Sequence, residues 1–271
     1  VAVTAVDLLN DWAVADMPTD YMYRATAALT STASLVGYWA CTSVTADGAM
    51  PPSMGGGSLR QTGTAPTALS VDSLPGDAGK AFAFTYSAVG GGYYWGAAPP
   101  VTSNSWGISC WVKFTEDPGA NDPYPLVIEN APLSGSNRVG IRVKSDGVYL
   151  TTITPAGVAT DQFGPVFGSL ADGSWHQIIL RVTESAGVVG GDLYVDNEGG
   201  TLGGALTTTN MLANQSARLV RIGTRLTGSV CHVALWSGAD TATNQDRARP
   251  AAGLYGGAVR ADTRLVQIAS L

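Results

Sequence analysis

Side chains that could act as nucleophiles, bases or metal ligands are few in this sequence and far apart. The only two histidines are His176 and His232, and neither has a second histidine or a cysteine at metal-ligand spacing. Cys231 directly precedes His232, but adjacent strand residues point to opposite faces, so we do not expect the pair to act together. His176 follows Trp175 at the start of an apolar run.

Three consecutive aromatic residues, Tyr93, Tyr94 and Trp95, are the best candidates for binding a ligand. Glycines precede them at 90–92 and follow them at 96. Sugars present flat C–H faces that stack on aromatic rings, and the glycines would let the cluster project from a loop. The alternative is that strand alternation buries Tyr93 and Trp95 beneath a neighbouring loop. The sequence leaves both interpretations open.

The composition is typical of many short strands joined by tight turns. Among 271 residues there are 34 glycines and 14 prolines, and only 13% are charged, which is low for a helical protein. Lys and Arg total 15 without a basic cluster and the net charge is −6, so we expect no nucleic-acid binding. The glycine runs lack the Lys-Ser/Thr of a phosphate loop. No membrane-length apolar run or signal peptide is present, so we expect no membrane insertion.

The three cysteines, Cys41, Cys110 and Cys231, are too few for a disulfide framework, and their number is odd. Cys110 and Cys231 fall in apolar runs, where we expect buried thiols that pack as small hydrophobic groups. A single disulfide among the three is left open.

The middle of the chain has the rhythm of an antiparallel β-sandwich. Two apolar runs, at 177–182 and 192–196, flank a turn-rich stretch at 184–191, which predicts a β-hairpin. Asp146-Gly147 between two further apolar runs is a second hairpin signal. In all, roughly ten to twelve strand candidates recur along the chain, as in sandwiches and barrels.

The segment 105–114 alternates clearly between apolar and other residues. It predicts one face with Trp106, Ile108, Cys110, Val112 and Phe114, and an opposite face with Trp111 and Lys113. For the whole sandwich, the expected core comprises Trp39, Phe82, Phe84, Trp106, Ile108, Val112, Ile179, Leu193, Val195, Ile222, Val230 and Val233.

The two ends of the chain differ from its middle. A short amphipathic helix is predicted at 5–15, and residues 241–271 again favour a helix, with apolar residues at spacings of three and four. We therefore expect a helical segment at 1–34, a β-sandwich at 35–240 and a C-terminal helical segment leading to a further domain. Because the chain starts at a residue other than Met and stops inside this helical pattern, we expect a piece of a longer polypeptide. Within the sandwich, residues 43–68 predict a long loop with little regular structure.

Three motifs in the middle of the chain occur in a fixed order. They are SWGISCWVKF from Ser105, DGSWHQIILRVTE followed by DLYVD from Asp172, and RIGTRLTGSVCHVALW from Arg221. Their order resembles that of laminin-G, or concanavalin-A-like, jelly rolls, over about residues 35–237. Asn197 stands where that family usually has glycine, and Leu226 replaces its usual aromatic residue. The resemblance implies an all-β, antiparallel sandwich of jelly-roll type. It also implies a structural role for His176, because the family commonly keeps a histidine after the tryptophan at this strand entrance.

Retaining glycosidases that share this fold typically carry the motif E-x-D-x-x-E or E-x-D-x-E on one strand. This spacing places the nucleophile and the general acid about 5 Å apart. The present sequence has no such run. Its isolated carboxylates lie in or beside predicted turns, at Glu116, Asp117, Glu129, Glu184 and Glu198. We therefore expect no catalytic residues and no enzymatic activity.

Laminin-G-like domains often bind calcium at the rim of the sandwich, so the resemblance makes calcium the metal ion to consider here. Loop carboxylates at Asp72, Asp77, Asp117 and Asp122 would supply oxygen ligands. No tight DxDxD loop is present, however, and we expect no metal and no cofactor.

A narrower resemblance concerns the flanks of the sandwich. The residues GYW at 37–39, HVALW at 232–236 and an Ala/Gly/Arg-rich helix ending at 264–265 are similar to minor tail proteins of phages that infect actinobacteria. In those proteins a concanavalin-A-like domain is inserted in a tail-tip chain. The resemblance implies a virion structural protein of the tail tip, with other tail-tip proteins, copies of itself and a host cell-surface glycan as partners. The alternative is a carbohydrate-binding module of a secreted bacterial protein.

Overall fold

The computed structural model describes most of the chain between residues 34 and 238. Outside this description lie 1–33 and 239–271, together with 42, 54, 63–67, 71–80, 87–91, 99–104, 115, 119–120, 131–137, 155, 186–187, 197, 202–205 and 208–217. The helices predicted at both ends of the chain fall outside the described residues. Within them, no helix has the length and apolar character needed to span a membrane.

The described residues form two antiparallel β-sheets packed as a sandwich, which confirms the predicted fold class. Sheet I contains β1 (Ser34–Trp39), β3 (Ala68–Ser70), β4 (Ala81–Phe84), β6 (Ser105–Lys113), β11 (Trp175–Ser185), β12 (Val188–Val195), β13 (Glu198–Thr201), β14 (Leu206–Thr207) and β16 (Gly228–Ser237). Sheet II contains β2 (Arg60–Thr62), β5 (Tyr93–Ala98), β7 (Tyr124–Asn130), β8 (Arg138–Lys144), β9 (Gly147–Ile153), β10 (Ala159–Val166) and β15 (Arg218–Thr224).

Neighbouring strands in both sheets are often distant in sequence. Sheet I has the order β13-β12-β11-β6-β16-β4-β3, with β1 also paired to β16 and β14 to β12. Sheet II has the order β10-β9-β8-β7-β15-β5-β2. Strand β15 therefore lies between β7 and β5, and strand β2 lies at the edge beside β5. This arrangement brings side chains from three separate parts of the chain together on one end of sheet II.

The predicted hairpin at 177–196 is present as β11 and β12, but its turn is shorter than the sequence indicates. The two strands stay paired up to Ser185 and Val188, so the stretch predicted as a turn at 184–191 is mostly strand. The glycine at 191 is required inside the strand, because a Cβ there would lie 1.9 Å from the carbonyl oxygen of Arg181. Glycine at this position reflects a close backbone approach and does not mark the end of the strand.

All twelve residues predicted for the core are buried, but one of them lies outside the main core cluster. Ile179 is buried but does not belong to the main core cluster, which instead includes its neighbours Ile178 and Leu180. Trp111, predicted to share an outer face with Lys113, is only 2% exposed and belongs to the core cluster. The reason is that β6 lies inside sheet I, where residues 106–112 are buried on both faces.

The stretch 43–68, predicted as an irregular loop, contains more structure than expected. Met50 and Leu59 are completely buried, and their backbone groups exchange two hydrogen bonds of 2.8 Å. The next residues form β2, which pairs with β5. Buried apolar residues and backbone hydrogen bonds, including one from Gly57 to the carbonyl of Ala97, therefore hold this segment against the core.

The three cysteines are buried thiols, as expected for Cys110 and Cys231, and no disulfide joins them. Cys41 Sγ lies 3.5 Å from the sulfur of Met50, and burial raises the pKa of its thiol to about 12. These side chains therefore pack as small hydrophobic groups.

At Gly107, a large side chain of the neighbouring strand packs directly against the backbone of β6. Gly107 is the direct partner of Trp236 on β16, and a Cβ at this position would lie 2.1 Å from the indole nitrogen of Trp236. The indole therefore rests directly on the backbone of β6, and a side chain at 107 would displace it.

Candidate ligand-binding surface

Strand β5 separates the three predicted aromatic residues onto two faces. Tyr94 is 2% exposed and points into the core, where its ring meets Phe82 edge-on at 4.9 Å between centroids. Phe84 contacts the same ring at 6.4 Å, and the tyrosine hydroxyl donates a long hydrogen bond of 3.4 Å to the carbonyl of Gly48. Tyr94 is therefore a core residue with no surface for a ligand, and this part of the predicted site is corrected.

Tyr93 and Trp95 lie on the outer face of sheet II. Trp95 is 41% exposed, and Tyr93 is half-buried. On β5 the side chain of Tyr94 fills the space between the sheets, so the side chains of Tyr93 and Trp95 point to the outer face. This is the opposite of the arrangement in which Tyr93 and Trp95 would be buried. One large indole is thus left facing solvent on a regular strand.

Two arginines flank Trp95 in the strand register. Trp95 is paired with Arg60 on β2 and with Arg221 on β15. Side chains of directly opposed residues in antiparallel strands lie on the same face of the sheet. The indole therefore lies in a row between two guanidinium-bearing side chains. We call Arg60, Tyr93, Trp95 and Arg221 together the Trp95 patch.

The two arginines are held to different degrees. Arg221 Nη1 donates a 3.0 Å hydrogen bond to the hydroxyl of Tyr93, and its guanidinium carbon lies 5.1 Å from the centre of the Tyr93 ring. Such a cation–π contact fixes both groups relative to each other. Arg60 forms a 3.2 Å ion pair with Asp47, in which both side chains are more than half exposed. An exposed pair of this kind contributes little stability, so Arg60 is free to exchange partners.

A charged cluster farther along the outer face of sheet II was not selected from the sequence. Arg142 on β8 donates hydrogen bonds to Asp161 on β10 at 3.0 Å and to Asp122 at 2.5 Å. Lys144 and Thr151 also donate to Asp161, at 2.5 and 2.6 Å. Burial opposes ionisation of Asp161, but the hydrogen bonds from Lys144, Thr151 and Arg142 outweigh it and lower its pKa. This carboxylate is therefore held ionised.

The residues considered for calcium do not converge in the described part of the chain. Asp122 is bound to Arg142, while Asp72 and Asp77 lie outside the described residues. Among those residues, no group of three or more His, Cys, Asp or Glu side chains is arranged to hold a metal ion. The expectation that no metal or cofactor binds remains a prediction.

His176 ties the start of β11 to the end of β12. Its Nδ1 lies 2.8 Å from a carboxylate oxygen of Asp196, and its Nε2 lies 3.0 Å from Asp172. The other oxygen of Asp196 accepts a 2.8 Å hydrogen bond from the backbone N–H of Gln177. Burial lowers the pKa of His176, but its hydrogen bonds to Asp196 and Asp172 outweigh that effect and raise it. In the protonated ring both nitrogens donate to carboxylates that lie on either side of it, which supports the structural interpretation of this residue.

His232 is likewise part of the scaffold. It is 2% exposed, and its Nδ1 shares a 2.5 Å hydrogen bond with the hydroxyl of Tyr38 on β1. The residue has a φ of 49° and interrupts the regular pairing of β16 with β6. Through this hydrogen bond it joins β1 to β16 in the interior.

Comparison with known proteins gives structural matches only. No protein-family model matches the sequence, and no curated protein matches it. The binding domain of botulinum neurotoxin serotype D has a TM-score of 0.52 at 8% identity, over 83% of this chain and 54% of that one. A Trypanosoma rangeli sialidase, as a covalent intermediate with 2,3-difluorosialic acid, has a TM-score of 0.50 at 15% identity, over 83% and 34%.

A third match is domain 4 of a GH43 extracellular arabinanase from Geobacillus stearothermophilus, in complex with arabinotriose. Its TM-score is 0.49 at 17% identity, over 80% of this chain and 98% of that one. Identities this low show the fold alone, and the present chain spans only 54% of the toxin domain and 34% of the sialidase. The two-sheet sandwich is consistent with the concanavalin-A-like jelly roll expected from the motifs.

Proposed function

We propose that this chain is a carbohydrate-binding domain without catalytic activity, and that the Trp95 patch contacts the glycan. One observation carries the proposal: an indole that is 41% exposed lies on a regular strand between two arginines. A flat ring on a rigid sheet can stack on the C–H face of a sugar, while guanidinium groups donate hydrogen bonds to its oxygen atoms. Because the strands fix the backbone positions of these residues and Tyr93 already holds the Arg221 side chain, part of the ordering that binding requires is already present.

The absence of catalysis is supported by the chemistry of the charged cluster. A glycoside hydrolase needs one protonated carboxyl group to act as general acid. Asp161 and Asp122 share the guanidinium of Arg142, and the pKa of Asp161 is lowered by its hydrogen-bond donors despite its burial. We expect no new reducing ends when the protein is incubated with glycans that it binds.

For the biological setting, we propose the tail tip of a phage. The support is the sequence of the flanks, GYW at 37–39 and HVALW at 232–236, together with the Ala/Gly/Arg-rich C-terminal segment. In that setting the domain serves adhesion to a host-surface glycan or tail architecture, beside other tail-tip proteins and copies of itself. A carbohydrate-binding module of a secreted bacterial protein is the alternative and would use the same Trp95 patch.

A glycan array probed with the purified chain tests binding, and an antibody against the domain tests the setting. We expect reproducible binding to a group of related saccharides and antibody labelling at the tail tip of purified phage particles. An array without signal at micromolar protein would contradict the carbohydrate-binding proposal. Antigen in bacterial culture medium, with none on particles, would contradict the phage setting and support the secreted module.

A further inference from the structure

The Trp95 patch combines positive charge with a stacking surface. Neighbouring strands lie about 4.8 Å apart, so the positions of Arg60 and Arg221 are separated by roughly 10 Å with the indole between them. This local charge contrasts with the net charge of −6 for the whole chain. A ligand that covers Trp95 comes within reach of a guanidinium group on either side.

Arg60 can turn to a ligand without leaving its present partner unpaired. Its carboxylate partner Asp47 also accepts a 2.5 Å hydrogen bond from the hydroxyl of Thr45. That hydrogen bond holds the pKa of Asp47 below its usual value, ahead of the smaller effect of Arg60. Asp47 and Arg60 are both well exposed, with side-chain accessibilities of 56% and 69%. Release of Arg60 therefore leaves Asp47 ionised, hydrogen-bonded and solvated.

Arg221 has the complementary property of being fixed in advance. Its hydrogen bond and cation–π contact hold the guanidinium against Tyr93, and the backbone position of Arg221 is directly opposite Trp95. A positive charge that is already placed loses little conformational freedom when an anion binds. One arginine of the Trp95 patch is thus rigid, and the other is adaptable.

From this geometry we infer that the Trp95 patch selects acidic saccharides, whose sugar units carry carboxylate or phosphate groups. The inference rests on the proposed carbohydrate-binding function and names its ligand class. The indole covers the C–H face of one sugar unit, and the arginines bind the anionic substituents of that unit or its neighbours. Guanidinium groups form bidentate, charge-assisted hydrogen bonds with both kinds of anion, and these are stronger than hydrogen bonds to hydroxyl groups.

Matched polymers separate charge from sugar stacking. Isothermal titration would compare polygalacturonate with its fully methyl-esterified form, and phosphomannan with neutral mannan. We expect at least one acidic polymer to bind about tenfold or more tightly than its neutral counterpart, the difference expected of one charge-assisted hydrogen bond. The difference should shrink as salt is added, because the groups are exposed. The polymer pair that shows it identifies carboxylate or phosphate as the anion.

Variants of Arg60 test whether the arginine side chains of the Trp95 patch bind the anionic groups. Arg60→Gln should weaken acidic-polymer binding by about tenfold and leave any neutral-polymer binding unchanged, while Arg60→Lys should retain part of the affinity. Lys113→Gln, which removes a cation from sheet I, serves as the control and should bind like the wild type. Equal affinity for each acidic polymer and its neutral form, with both lost in Trp95→Ala, would overturn the charge inference and leave the carbohydrate-binding proposal standing. Failure of the wild type to bind any saccharide would overturn both.

Discussion

Trp95 of β5 and Arg221 of β15 are direct cross-strand partners on the outer face of sheet II, although they are far apart in sequence. Tyr93 completes the relationship, because its hydroxyl accepts a hydrogen bond from Arg221 and its ring lies against the same guanidinium. The backbone of the sandwich thus places an exposed indole directly opposite an arginine whose side chain is held by Tyr93. The proposed contact with a glycan depends on this placement.

The assignment of Tyr94 to the core predicts a pair of contrasting variants. Tyr94→Ala should lower the free energy of unfolding by about 3–5 kcal/mol, because it empties a site between Phe82 and Phe84. Tyr94→Phe keeps the ring and removes the hydroxyl, which donates a long hydrogen bond to Gly48, so it should change the free energy of unfolding by only about 1 kcal/mol. Urea unfolding followed by tryptophan fluorescence measures both. A Tyr94→Ala variant with normal stability and impaired glycan binding would contradict the assignment.

The environment of His176 predicts a dependence of stability on pH. Its pKa in the folded protein is raised above the ordinary value of 6.5, so its contribution is complete below that value and is lost as the pH rises through the folded pKa. Asp172 behaves oppositely: burial raises its pKa, but hydrogen bonds from Ser174 and His176 outweigh this and lower it from 3.8. Its contribution is complete above 3.8 and is lost as the pH falls through the folded pKa.

Thermal unfolding between pH 5 and pH 9 tests this expectation for His176. The wild type should lose stability as the pH rises above about 6.5, the ordinary pKa of histidine. His176→Gln should be less stable at pH 5.5 and should show a flatter dependence over the same range. A variant with the same slope as the wild type would show that other groups cause the pH dependence.

The contact of Trp236 with Gly107 predicts a steric effect on stability. Gly107→Ala should cost about 1–3 kcal/mol, because the added methyl group would overlap the indole and force it to move. Gly168→Ala is the matched control, since a Cβ at that position has no heavy atom within 4 Å. The control should remain within about 0.5 kcal/mol of the wild type. Equal stability of the two variants would mean that Trp236 does not rest on β6.

Much of the fold could be predicted from the sequence because its strands carry strong local patterns. The alternation in 105–114 and the apolar runs around 177–196 correspond to β6, β11 and β12. The turn predicted at 184–191 is longer than the turn observed. The sequence alone does not distinguish a glycine that is needed inside a strand, where two backbones approach closely, from a glycine that ends a strand. In 43–68, the polar composition conceals the buried residues Met50 and Leu59, which help to anchor the segment.

The candidate site was less predictable because it depends on contacts between distant segments. Alternation divides Tyr93, Tyr94 and Trp95 into two sets, but only packing against β4 decides which set faces the core. The roles of Arg60 and Arg221 follow from strand order, and one of them lies in a stretch predicted as an irregular loop. The charged cluster around Arg142 similarly joins side chains from separate segments and has no local sequence signal.

The most direct test of the central claim is the effect of Trp95 substitutions on glycan affinity, measured by isothermal titration with the saccharide that gives the strongest array signal. Trp95→Ala should weaken binding by about tenfold or more, while Trp95→Phe should retain a larger share of the affinity because it keeps a ring. Val158→Ala is the control, since it removes a side chain that is 59% exposed at the opposite edge of sheet II. All three variants should unfold at the temperature of the wild type within a few degrees. Unchanged affinity of a folded Trp95→Ala variant would contradict the claim that the Trp95 patch binds the glycan.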